Sequence, residues 1–148
     1  MSLEAKVMPA MKEAMKAKDK LALEALRAIK AAILLAKTES GDSELSEDAE
    51  LKMLQKLVKQ RRDSADLYKE QGRADLAEVE EKQAEVIAQF LPEQMSEEEL
   101  TEAVKTIIAE LGAEGMKDMG KVMGVATKKL AGKTEGKLIS LKVKELLG

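Results

Sequence analysis

Apolar residues in this chain recur every three or four positions, and no stretch alternates apolar and polar residues. Ala22, Leu26, Ile29 and Ile33 show the pattern, as do Leu100, Val104, Ile107, Ile108 and Leu111. That period is the signature of amphipathic helices. Ala, Leu, Glu, Lys and Met dominate the composition, all strong helix formers, and β-branched residues are few. With one Phe, one Tyr and no Trp, aliphatic side chains and Met must build the core. The chain is therefore expected to be all-α.

Breakers divide it. Helix one is expected from about Leu3 to Ala17, with Ser2 as N-cap and Leu3, Val7, Met11, Ala14 and Met15 on one stripe. Pro9 should kink that helix, unless the helix begins there. Asp19 is expected to cap helix two, which ends near Gly41; the loop 41–45 then leads to Ser46. Helix three should run from Glu47 to about Gln71 and stop at Gly72. Helix four should span about Ala74 to Phe90, with Leu76, Val79, Val86, Ile87 and Phe90 inward. Leu91-Pro92 is the clearest boundary, because proline restricts its predecessor and cannot continue a helix. Ser96 to Glu99 then reads as a capping box. Helix five (about Glu97 to Leu111), helix six (about Asp118 to Leu130) and helix seven (about Glu135 to Leu147, capped by Thr134) complete the chain. Two modules are expected: 1–92, a four-helix bundle or hairpin, and 93–148, a three-helix tail.

Charge separates the same regions. Residues 41–100 carry 17 acids against eight bases. Residues 116–148 carry eight lysines (117, 121, 128, 129, 133, 137, 142 and 144) against three acids, a net of +5 in a chain whose total is −3. A basic, glycine-interrupted helical segment points to a surface that meets a polyanion backbone. Lys117, Lys121, Lys133 and Lys137 flank two helix starts, where free amides favour anions. Gly120 and Gly124 each weaken helix six by roughly 0.5–1 kcal/mol relative to Ala. Either they allow close helix packing, or they let a ligand approach the backbone.

Much chemistry is excluded. The chain has no His and no Cys, so Ser-His-Asp and Cys-His nucleophiles, disulfides and Cys- or His-based zinc sites are impossible within it. The acidic runs Glu78 to Glu81 and Glu97 to Glu99 diverge around a helix and read as solvated faces rather than metal ligands. No metal, cofactor or catalytic residue is expected. Gly132 to Lys137 lacks phosphate-loop spacing and a preceding strand. The N-terminal segment is not a signal peptide, and no span reaches the roughly 20 apolar residues of a membrane helix. A cytoplasmic protein is expected. In Lys59-Gln-Arg-Arg-Asp-Ser64, Lys59–Asp63 and Arg62–Asp66 have ion-pair spacing; an RNA or partner contact is the other reading. Met116, Met119 and Met123 are expected in the core.

Several motifs carry a resemblance. Met116 to Gly124 (MKDMGKVMG), Gly132 to Lys137, Lys59 to Ser64, Gly72-Arg-Ala-Asp-Leu76 and Leu91-Pro-Glu-Gln94 together resemble the GatB/YqeY family over nearly the whole chain. Pro9 departs from its pattern. The tail resembles the domain that ends the B subunit of glutamine-dependent tRNA amidotransferases, and the rest resembles stand-alone YqeY proteins. The resemblance implies a non-catalytic tRNA-binding accessory protein, reading shape and phosphate through Lys117, Gly120, Lys121, Gly124, Lys133, Gly136 and Lys137. An amidotransferase or an aminoacyl-tRNA synthetase is the implied protein partner. The alternative is a helical protein–protein interaction module with no nucleic-acid role.

Overall fold

Four short polar side chains start helices by accepting from amides three residues on. Ser2, Asp19, Ser46 and Ser96 accept from the amides of Ala5, Ala22, Ala49 and Glu99 at 3.1–3.2 Å. At Ser96 the Glu99 carboxylate returns the bond to the Ser96 amide, completing the capping box. In a computed structural model, residues 2–41 and 43–148 are described; Asp42, in the loop expected after helix two, lies outside them. Among the described residues are α1 (Leu3–Lys16), α2 (Lys20–Ser40), α3 (Glu47–Glu70), α4 (Ala74–Ala88), α5 (Glu97–Leu111), α6 (Met119–Lys129) and α7 (Gly136–Leu147). A 3-10 turn, Met116–Asp118, precedes α6, and there is no strand among these residues. The chain is all-α.

Residues 1–91 form one compact unit and 92–148 another. In the first, Leu3, Val7, Leu26, Ile29, Ile33, Leu54, Val58 and Ile87 are buried together with Ala14, Ala25 and Ala84. Three anchors hold α1. The Leu3 amide donates to Glu50 of α3 at 2.8 Å. Lys37 of α2 donates to Glu4 at 2.8 Å, and that bond holds the Glu4 carboxyl below the usual range. Leu3, Val7 and Ala14, all buried in the core, contribute the third. α1 runs unbroken through Pro9, which is exposed, so the helix does not begin there. Met15 is 59% exposed and leaves the expected stripe.

The buried face of α4 keeps Ile87, with Val86 and Phe90 packed partly on the core, but otherwise differs from the expected one. Ala77, Gln83, Ala84 and Ile87 are buried, while Val79 is 40% exposed. Ala65 of α3 and Ala77 and Ala84 of α4 are each 1% exposed, so small side chains share the inward face with Gln83 and Ile87. Buried Gln83 is satisfied by Glu24 of α2 at 3.2 Å. Gly72, left-handed at φ 74°, reverses the chain after α3. Arg73 makes two 3.2 Å bonds to Asp75 just beyond it, and Lys69 of α3 pairs with Glu81 of α4.

In the second unit Leu100, Val104, Ile107, Val122, Ala126, Leu130, Ile139 and Val143 form the core, with Met119 and Met123 packed on it. Met116 is 49% exposed and is not core. Helix seven starts at Gly136, after an N-cap at Glu135; Thr134, the expected cap, is buried at 7% exposure. Limited proteolysis of the full chain is expected to cut between residues 88 and 98, with the pieces melting separately. A single cooperative transition without cleavage there would show one folding unit.

Candidate nucleic-acid interface

The outward face of α6 has no side chains at its centre. Gly120 and Gly124 are exposed, and a Cβ placed on either would meet nothing within 4 Å. Neither glycine therefore serves close helix packing, so the packing explanation of this pair does not hold. Helical spacing puts Thr127 on the same face, with Lys121 and Lys128 along its edge, all exposed. Lys117, in the 3-10 turn, is also exposed and lies 3.8 Å from Glu114, a loose surface pair. Lys121, Lys128, Lys133 and Lys137 form no ion pair among the described residues. The result is a strip of bare backbone bordered by ammonium groups. Lys128 belongs to this strip although it lies away from either helix start; its seven-residue separation from Lys121, two helical turns, is the signal in the sequence.

The loop between α6 and α7 is held from outside. The Gln94 side-chain amide donates to the Gly132 carbonyl at 2.7 Å and to the Pro92 carbonyl at 2.9 Å. The Met95 amide donates to the Lys133 carbonyl at 2.9 Å. Gly132, left-handed at φ 77°, makes the turn these bonds fasten. The Pro-Glu-Gln segment and the Gly132–Lys137 segment, far apart in sequence, are thus one structural device, with Lys133 exposed at its outer side. Gly136 and Lys137 open α7 and are exposed as well.

A profile of the YqeY-like proteins matches residues 4–147. The chain belongs to the YqeY-like family. That family is related to the tail domain of the amidotransferase B subunit. Two fungal relatives, each named altered inheritance of mitochondria protein 41, mitochondrial, are similar to this YqeY-like chain. That of Pyrenophora tritici-repentis is 30% identical over 141 residues, covering 93% of the chain and 77% of the relative. That of Clavispora lusitaniae is 36% identical over 106 residues, covering 70% and 61%. Both are named as mitochondrial, which overturns the cytoplasmic assignment. The lack of cysteine, and of a helix among the described residues long and apolar enough to cross a membrane, does not single out a compartment.

One lysine of the basic segment is not on the YqeY-like chain's surface. The Lys142 side chain is only 9% exposed, donating to Glu145 at 3.1 Å and to Glu97 at 3.5 Å. The bond to Glu145 raises its pKa above the ordinary lysine value, against the opposing effect of burial. A raised lysine pKa stabilises the fold fully below the ordinary value and loses that contribution only as pH climbs through the raised one. Stability from this group is therefore flat across neutral pH. In α3, Lys59 pairs with Asp63 at 2.9 Å as its spacing implies, but the expected Arg62–Asp66 pair is not formed. Arg61 is half buried; its Nε is buried without a partner, and one terminal nitrogen donates to the Leu57 carbonyl at 3.4 Å. Among the described residues, no group of three acidic side chains is placed to hold a metal ion.

Proposed function

We propose that this chain is a tRNA-binding accessory protein that works without chemistry of its own. Phosphates rest on the bare face of α6 and on the pinned loop, contacted by Lys117, Lys121, Lys133 and Lys137, with Gly120, Gly124 and Gly136 leaving the backbone open. The observation that carries this reading is the open space over Gly120 and Gly124. Two exposed helix glycines weaken α6 and gain no packing in return, whereas a phosphate backbone needs that approach. The chain has almost no aromatic side chain on which bases could stack, so readout is by shape and phosphate rather than by base. The kinship with an amidotransferase tail makes aminoacylated tRNA the natural ligand class, and an amidotransferase or aminoacyl-tRNA synthetase the natural protein partner.

The test separates stability from binding. Gly120→Ala with Gly124→Ala has room for both methyl groups, so the helix is expected to gain about 0.5–1 kcal/mol per site. Binding of bulk tRNA at low salt, followed by fluorescence anisotropy, is expected to weaken at the same time. A variant that is more stable and binds equally well refutes backbone approach. A wild-type chain that binds no tRNA at low salt refutes the whole reading.

A further inference from the structure

A cleft beside α7 is lined by neither Lys137 nor Lys144. Its volume is about 450 Å³, and it is lined by Met95, Leu100, Leu138, Leu141 and the Glu97–Lys142–Glu145 cluster. Leu138 and Leu141 are 47% and 54% exposed, three residues apart on one ridge of α7. The buried ammonium already serves two carboxylates, whose side chains are 86% (Glu97) and 67% (Glu145) exposed. An incoming anion would meet those carboxylates before it met Lys142, and two acids to one base leave the cleft net negative. Two exposed leucines beside that excess negative charge suit an occupant with the opposite charge and a matching apolar stripe.

We propose that this cleft seats a basic amphipathic helix from a partner protein, its apolar side chains on Leu138 and Leu141 and its cationic side chains on Glu97 and Glu145. Helix-in-groove recognition of this kind is read as apolar anchors three or four residues apart. None of the lysines proposed to hold phosphate lines the cleft, so it would remain if RNA binding were disproved.

The experiment titrates the ¹⁵N-labelled full chain with a synthetic amphipathic peptide of about four helical turns, leucines on one face and arginines flanking them. A control peptide carries glutamate in place of every arginine. The arginine peptide is expected to shift the amides of Leu138, Leu141 and Glu97, and the glutamate peptide to leave them unmoved. Leu138→Ser with Leu141→Ser, both exposed, should keep the circular dichroism spectrum and lose about tenfold or more in affinity. Glu97→Gln should weaken the arginine peptide without touching the leucines. Four results would each overturn the proposal. The glutamate peptide binds as well as the arginine peptide. The shifts map elsewhere. Millimolar arginine peptide produces none. Or sedimentation shows the chain associating with itself through the two leucines, which would make a second copy the occupant.

Discussion

Converting Lys117, Lys121, Lys133 and Lys137 together to glutamine is expected to weaken tRNA binding sharply. It should also flatten the plot of log K against log salt by about 3–4 units, at roughly 0.7–0.9 for each phosphate no longer neutralised. Each lysine that neutralises a phosphate releases a condensed counterion, so the slope reports directly how many lysines engage. All four side chains are exposed, and among the described residues Lys117 alone of them forms an ion pair, a loose one at 3.8 Å, so the melting temperature should hold. Several tRNA species should lose affinity alike, as the proposed readout by shape and phosphate requires. Lys142→Gln is the informative control. It removes one more positive charge, but from a buried group tied to Glu97 and Glu145, so it should lower stability and leave the salt slope alone. A slope unchanged in the quadruple variant would remove these four positions from the interface.

Pro9→Ala is expected to raise stability more than either glycine replacement in α6. Interior proline costs a helix about 3 kcal/mol, through a missing donor and a clash with the carbonyl four residues back, here Ala5. Proline also restricts the unfolded chain, which returns about 0.4–1 kcal/mol and leaves a net gain of about 2 kcal/mol. Since 1 kcal/mol moves the midpoint of a domain this size by about 4–8 °C, thermal denaturation should show a rise near 10 °C. Val7 and Ala14 lie on either side of Pro9 and are both buried, so the helix must pass through the proline in register to place them. An unchanged melting temperature would mean that the first turns of α1 contribute nothing to the cooperative unit.

The helical period, the caps and the breakers were legible in the sequence because each is a local code. Ser2, Asp19, Ser46 and Ser96 cap as their residue types imply, and Gly41 and Gly112 end α2 and α5 in the left-handed conformation. What stayed hidden depends on neighbours distant in sequence. The α4 face buries Ala77 and Ala84, whereas reading by bulk favours Val79 over Ala77. Lys142 looks like any other lysine of a basic run until α5 brings Glu97 beside it. Met15 and Met116 fit an apolar period yet sit beyond the edge of their cores. The glycine pair in α6 left two explanations open in the sequence, and the empty space over each Cα removes the packing one. Gln94 is the clearest case: nothing within its own segment reveals that its amide is needed 38 residues later.

That distant bond sets a limit on dissection. Anyone transplanting the lysine-bearing tail onto a carrier protein would naturally begin at the first residue of α5. Such a graft would leave behind Gln94 and Met95, and with them the hydrogen bonds that fix the Gly132 turn and its lysine. The helices would survive while the loop lost its setting, and weak binding by the graft would be misread as evidence against the lysines. A portable cassette has to start no later than Pro92.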